Sequence, residues 1–145
     1  MVVRLGYILP SGIGTDEGTK FFFQDLVNTE TICTFYDFEN KRQLFPGVAP
    51  VMRFCLLTIT GRERPIKTGG EFIFFAQSIE DLSEPDRKFT LTSEEIRLIN
   101  PNTQTCPIFK TKREAEITKS IYAKNPILLK HQPPLNPWGR RSNSA

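Results

Sequence analysis

At 145 residues, with 39% of them hydrophobic and 12 of them Phe, the chain has room for one ordinary globular domain and little for a second, and it is too apolar for a disordered tail. Its formal charge of +3 permits contact with nucleic acid without pointing to it, because a dedicated binder carries a clustered basic face. Cys33, Cys55 and Cys106 stand at no metal-ligand spacing, and the single histidine, His131, lies in a Pro-rich tail. A zinc set and a His-based triad are therefore excluded, and buried reduced thiols of a cytoplasmic protein are expected. No apolar run is long enough to span a membrane, and no signal peptide is evident.

In chain order, residues 2–9 read as a strand that runs into the flexible turn Pro10-Ser11-Gly12-Ile13-Gly14. Thr15 or Asp16 then caps a helix over about residues 16–28, with Phe22 and Leu26, and Phe23 and Val27, spaced i, i+4 on its apolar face. A second strand is expected over 31–38. A polar connection, Glu39-Asn40-Lys41-Arg42, leads from it to a loop around Phe45. Pro46 and Pro50 lack amide hydrogens and Gly47 permits positive φ, so Phe45 sits at a stiff bend rather than in a helix or ladder. Residues 51–59, rich in β-branched and aromatic side chains, read as a strand buried on both faces. The last two strands can pair as an antiparallel hairpin, whereas the first two flank a helix and can be parallel. That is one edge of an α/β sheet.

Beyond Gly61 a charged loop precedes a short apolar strand over 71–77 that returns to the same sheet, then one helical turn over 78–85. Thr92-Ser93-Glu94-Glu95 matches a capping box and opens a short helix ending near Asn100-Pro101. Thr111-Lys112-Arg113-Glu114 repeats the pattern before an amphipathic helix to about Lys124, in which Ala115, Ile117, Ile121 and Tyr122 can face a partner. Its Lys112, Arg113, Lys119 and Lys124 can meet DNA phosphates, and a solvated face explains them equally. Residues 126–145, with four prolines and the ending Arg140-Arg141-Ser142-Asn143-Ser144-Ala145, cannot bury a core.

Candidate chemistry is sparse. Gly12-Ile13-Gly14-Thr15-Asp16-Glu17-Gly18 is one residue too long for a dinucleotide loop, and Asp16 and Glu17 would repel a phosphate. Asp37 and Glu39 flank Phe38 and can project to one side, but as surface charges at a sheet edge rather than as an acid/base pair. The run Lys20-Phe21-Phe22-Phe23 reads as core at helical spacing rather than as a base-stacking surface. Phe45 is either a plug that caps the end of the sheet or a stacking platform. No complete catalytic set and no metal site is present in the sequence.

Several segments, taken in order, resemble the second half of the catalytic domain of large adenine-N6 DNA methyltransferases, the fused type IIG restriction-modification enzymes. They are Gly6-Tyr7-Ile8-Leu9-Pro10-Ser11-Gly12-Ile13, Thr19-Lys20-Phe21-Phe22-Phe23-Gln24-Asp25-Leu26-Val27, Tyr36-Asp37-Phe38-Glu39-Asn40, Leu44-Phe45-Pro46-Gly47-Val48 and Met52-Arg53-Phe54-Cys55-Leu56-Leu57-Thr58. Asn100-Pro101-Asn102-Thr103-Gln104-Thr105-Cys106-Pro107-Ile108-Phe109 and Asn136-Pro137-Trp138-Gly139 look like segments downstream of that domain.

The resemblance implies a partial Rossmann-like methyltransferase sheet, a strand-helix-strand-strand edge, with a mainly helical C-terminal extension. Residues 3–60 would supply the fifth strand, its helix and the closing antiparallel pair. The implied division is 1–61 for the catalytic half, 62–125 for strand and helices leading toward a specificity region, and 126–145 for the tail. Phe45 would stack on an adenine flipped from the duplex, with Pro46 and Pro10 beside the same pocket. S-adenosylmethionine would be the cofactor of the complete enzyme. The Gly-rich cofactor loop and the Asn-Pro-Pro-Tyr type motif are absent from this sequence, so the chain is expected to be a fragment that binds no cofactor alone. Its expected partners are DNA and a separate chain carrying the missing half, with no membrane. The alternative is a non-catalytic nucleic-acid-binding or complementing module.

Overall fold

The computed structural model describes residues 3–125 and has a mixed α/β architecture built on one five-stranded sheet. The strands are β1 (Arg4–Pro10), β2 (Ile32–Glu39), β3 (Arg53–Thr60), β4 (Gly70–Ala76) and β5 (Phe89–Leu91), in the spatial order β1-β3-β2-β4-β5. β3 is antiparallel to both β1 and β2, β2 is parallel to β4, and β5 closes the far edge antiparallel to β4. The expected hairpin of β2 and β3 is present. β1 and β2 run in the same direction but do not touch, because β3 lies between them. The sheet continues across the junction at residues 61 and 62, since β4 and β5 extend it. β5, only three residues long, carries too short a pattern to be read from sequence.

Alternation assigns the strand side chains to two unlike faces. Phe35, Cys55, Leu57, Phe72 and Phe74 point to one of them. There they meet Phe23, Leu26 and Val27 of α2 (Lys20–Asn28), Ile96 and Ile99 of α3 (Ser93–Ile99) and Ala115 of α4 (Lys112–Lys124) in the main core. The opposite face holds a smaller cluster of Phe38, Ile73 and Ala76, covered by Leu82 of a 3-10 turn and flanked by Tyr36, Phe54 and Leu56. Among the described residues no α-helix contributes to this second cluster.

The helix expected over 16–28 is broken into pieces. A single turn, α1 (Gly12–Thr15), ends where Asp16 turns extended, a 3-10 turn follows, and α2 begins at Lys20. Neither Thr15 nor Asp16 caps α2, and its N-cap residue Thr19 makes no side-chain capping bond. Only Phe23 of the three consecutive Phe is buried, while Phe21 and Phe22 are exposed. A nine-residue helix lying on a sheet buries one stripe, so three successive aromatics cannot all face the core. The glycine segment has a packing role: a Cβ on Gly14 would stand 2.7 Å from the Phe35 ring and 3.2 Å from that of Phe23. Gly14→Ala is accordingly expected to cost about 1–3 kcal/mol through overpacking, checked by urea unfolding.

The capping box of α3 forms as expected, with Glu95 N donating to Thr92 Oγ1 at 3.2 Å and Thr92 N donating to Glu95 Oε2 at 2.8 Å. At α4 only half of it forms. Thr111 Oγ1 accepts from Glu114 N, but the Glu114 carboxylate takes the amide of Lys110 instead. All three cysteines are buried and free. Burial first, and the nearby Asp37 charge second, push the Cys55 thiol up to about 12. No described helix is long and apolar enough to cross a membrane. The expectations for the tail, for His131 and for Asn136-Pro137-Trp138-Gly139 lie outside the described residues.

Candidate functional site

β1, β2 and β4 point the same way, so the segments after their C-terminal ends and the segment before β3 meet along one edge. In open α/β sheets that carboxyl edge is where ligands bind. Here it carries Pro10 and Ser11, Asp37 to Asn40, Arg53 and Phe75.

The Phe45 loop is built by two proline turns in succession. Phe45-Pro46-Gly47-Val48 closes with Val48 N donating to Phe45 O at 3.2 Å, and Gly47 takes φ +87, the conformation required at the third position of a type II turn. Ala49-Pro50-Val51-Met52 closes the same way, Met52 N to Ala49 O at 3.0 Å. Asn40, fully buried, fastens the loop from below. Its Nδ2 donates to Phe45 O at 3.1 Å and Val48 O at 2.9 Å, and its Oδ1 accepts from Phe45 N at 3.0 Å. Met52 O also accepts from Asn40 N at 3.0 Å, joining the two ends of the loop.

Held in this way, Phe45 packs its ring nearly perpendicular to that of Phe54, with centroids 4.9 Å apart, and Phe54 stacks on Phe38 at 5.2 Å. Pro10 is the β1 residue paired with Phe54. Phe45 and Pro10 therefore gather at one corner of the sheet, with Pro46 exposed on the same turn. Phe45 remains 40% exposed, and Leu44, Val48, Val51 and Met52 around it are exposed as well. The ring is neither a buried plug nor free of the protein: it packs on Phe54 and stays partly exposed. β3 begins later than its apolar run suggested, because Val51 and Met52 belong to the second turn, and of its residues only Cys55, Leu57 and Thr60 are buried.

Beside this corner lies a polar cluster that sequence reasoning misplaced. Asp37, read as a surface charge, is completely buried. Its Oδ1 accepts from Ser11 Oγ at 2.5 Å and Arg53 Nε at 3.1 Å. Its Oδ2 accepts from an Arg53 terminal nitrogen at 2.6 Å and from Phe75 N at 2.9 Å. Phe75 is where the β2–β4 register slips, at φ +60, a conformation bulky side chains rarely adopt. The bulge takes Phe75 N out of the ladder and Asp37 accepts it, while the Arg53 guanidinium lies 4.8 Å from the Phe75 ring centroid. Three strand ends and the turn after β1 are thus tied to one carboxylate. A Ser after a strand end, an acid flanked by aromatics and an Arg at the start of the partner strand is the sequence signal for such a tie. It becomes readable once β2 and β3 are paired in register.

Next to Phe75 opens a cavity of about 500 Å³ lined by Glu39, Gln77, Arg87 and Lys110 among others. Lys41 holds the Glu39 carboxyl below the usual range, through a 2.9 Å ion pair. Arg87 is paired with Glu84 at 2.6 Å.

The expected phosphate contacts divide. Lys112, Arg113 and Lys124 are exposed on α4 and make no ion pair among the described residues. Lys119 turns inward, 16% exposed, between Glu95 at 3.4 Å and Glu116 at 3.2 Å, so its charge is already spent within the protein. Of the apolar residues on α4, Ala115 is buried and Tyr122 packs on the core, while Ile117 and Ile121 remain exposed. No group of His, Cys, Asp or Glu among the described residues can hold a metal.

Comparison with protein families, with curated proteins and with solved structures finds no match.

Proposed function

We propose that this chain is the base-pocket part of an adenine-specific (N6) DNA methyltransferase of the restriction-modification kind, inactive alone and completed by a chain that brings the cofactor loop and the Asn-Pro-Pro-Tyr type motif. S-adenosylmethionine would be held by that other part. The observation that supports this reading most is the half-seated Phe45 ring on a loop fastened by Asn40, at the carboxyl edge and beside Pro10. Flipping an adenine costs a few kcal/mol of stacking, and a rigid exposed aromatic face returns part of it without losing side-chain entropy. Among the described residues no α-helix packs on the second face of the sheet and no strand pairs with the outer side of β1, which also suits a chain made to be covered by another.

The reading is tested with a duplex holding one adenine opposite an abasic site. Phe45→Ala is expected to weaken binding of that duplex by roughly tenfold, the loss of one base–aromatic stack, and to leave a fully paired duplex unchanged. Phe45→Trp is expected to retain binding. Equal losses on both duplexes would make Phe45 a structural plug.

The second reading, a non-catalytic nucleic-acid-binding module, is favoured by the three exposed cations of α4. Under it, binding would fall steeply with salt, would be indifferent to the extrahelical adenine, and would be lost in Arg113→Ala with Lys124→Ala.

A further inference from the structure

β1 is the edge strand of the described sheet. Among the described residues its seven pair only with β3, and no described strand lies on their other side. Natural edges are blunted by charge, proline or bulges. This one carries a single cation, Arg4, at its start, a proline only at its end, and an unbroken register with β3 between them. It also exposes large apolar side chains on both faces of the sheet: Leu5 at 50% and Tyr7 at 46% on the helix-covered face, and Ile8 at 61% on the other.

We propose that two copies of this chain join through β1, antiparallel, into one continuous sheet with a twofold axis at Tyr7. The sequence of the strand is self-complementary in that register. Arg4 then faces Pro10, Leu5 faces Leu9, Gly6 faces Ile8, and Tyr7 faces its own copy. Every pair keeps its face, so helices lie on the same side of both halves. The cation of each copy meets a proline rather than another cation, and leucine meets leucine. Ile8 falls opposite Gly6, above which the structure is open, with no heavy atom within 4 Å of where a Cβ would stand.

Shifting by two residues in either direction leaves part of the strand unpaired. One shift sets Gly6 against Gly6, and the other sets Ile8 against Ile8 with Arg4 and Leu5 left over. The centred register alone uses all seven residues. It also brings Arg4 of one copy beside Pro10 of the other, adding a cation at the corner that holds Phe45. This pairing does not depend on the proposed activity. Under that activity it would occupy, in the lone chain, the edge that a completing chain covers.

Light scattering on the purified chain at about 50 µM, together with a cysteine scan, tests the proposal. The expected mass is twice the 16.6 kDa of one chain. Tyr7→Lys is expected to give a monomer with an unchanged circular-dichroism spectrum, because the side chain is exposed at an edge. Because the native cysteines are buried, Tyr7→Cys is expected to crosslink under mild oxidation, with facing residues about 5 Å apart. Val3→Cys, whose two copies would stand roughly 27 Å apart, is expected not to crosslink. A monomeric wild-type chain would overturn the proposal. So would a dimer that survives Tyr7→Lys, or crosslinking of Val3→Cys as readily as Tyr7→Cys, either of which would place the contact elsewhere.

Discussion

Asp37→Ala is expected to lower the stability of the chain by about 3–5 kcal/mol, the cost of removing one partner from a buried ion pair. The loss comes from three groups at once. Ser11 Oγ and Phe75 N lose a buried acceptor. Arg53 loses a two-pronged partner, although its 31% exposure lets water relieve part of that cost. With Phe75 held at φ +60 only by what surrounds it, the β4 bulge is expected to slip toward regular register. Urea unfolding measures the energy, and hydrogen exchange at Phe75 reports the bulge. Glu39→Ala on the same strand is the control. Its partner Lys41 is largely exposed, so the expected loss is about 0–1 kcal/mol.

Asn40→Ala is the second large effect, about 2–3 kcal/mol, since it takes the side-chain partner from the Phe45 amide and the Val48 carbonyl and leaves the Phe45 carbonyl with only the Val48 amide. Its distinguishing mark is local. The loop is expected to lose protection at Phe45 N and Val48 N, while α2, α3 and the β2–β3 ladder keep theirs. Asn40→Asp is expected to be no better, because a carboxylate keeps the bond from Phe45 N but sets a negative oxygen against two carbonyls. If Phe45 stacks on a base, either change is expected to weaken binding of extrahelical adenine although neither touches the ring. That follows because an aromatic platform works by being held in place before the base arrives.

These two residues also mark where the sequence stopped being legible. Features set by neighbours in sequence were readable: the capping box of Thr92 and Glu95, the β2–β3 hairpin, the proline turns around Phe45, and the buried cysteines. The α/β class followed from them. Features set by residues far apart in the chain were not. Asp37 reads as an exposed acid until Ser11, Arg53 and Phe75 are brought to it by three different elements. Asn40 looks like one more polar residue in a connection, and only the return of the loop five and eight residues later gives its amide three partners. Lys119 counted as a cation for DNA because nothing in α4 itself shows Glu95 of α3 waiting for it. The exposure of Phe21 and Phe22 follows from the stripe that α2 buries, Phe23, Leu26 and Val27, which only the packing of the helix on the sheet selects.

We propose that this chain is one part of an adenine methyltransferase and that a second part supplies the chemistry. The most direct measurement is tritium transfer from labelled S-adenosylmethionine to DNA. It would be made with the purified chain alone and with the chain co-purified with the product of the adjoining upstream sequence, N6-methyladenine being read in the digest. No transfer by the chain alone, and transfer by the pair that falls in Phe45→Ala, is the result expected. Methyl transfer by the chain alone, or a pair that stays inactive although its upstream half carries both missing motifs, would contradict it.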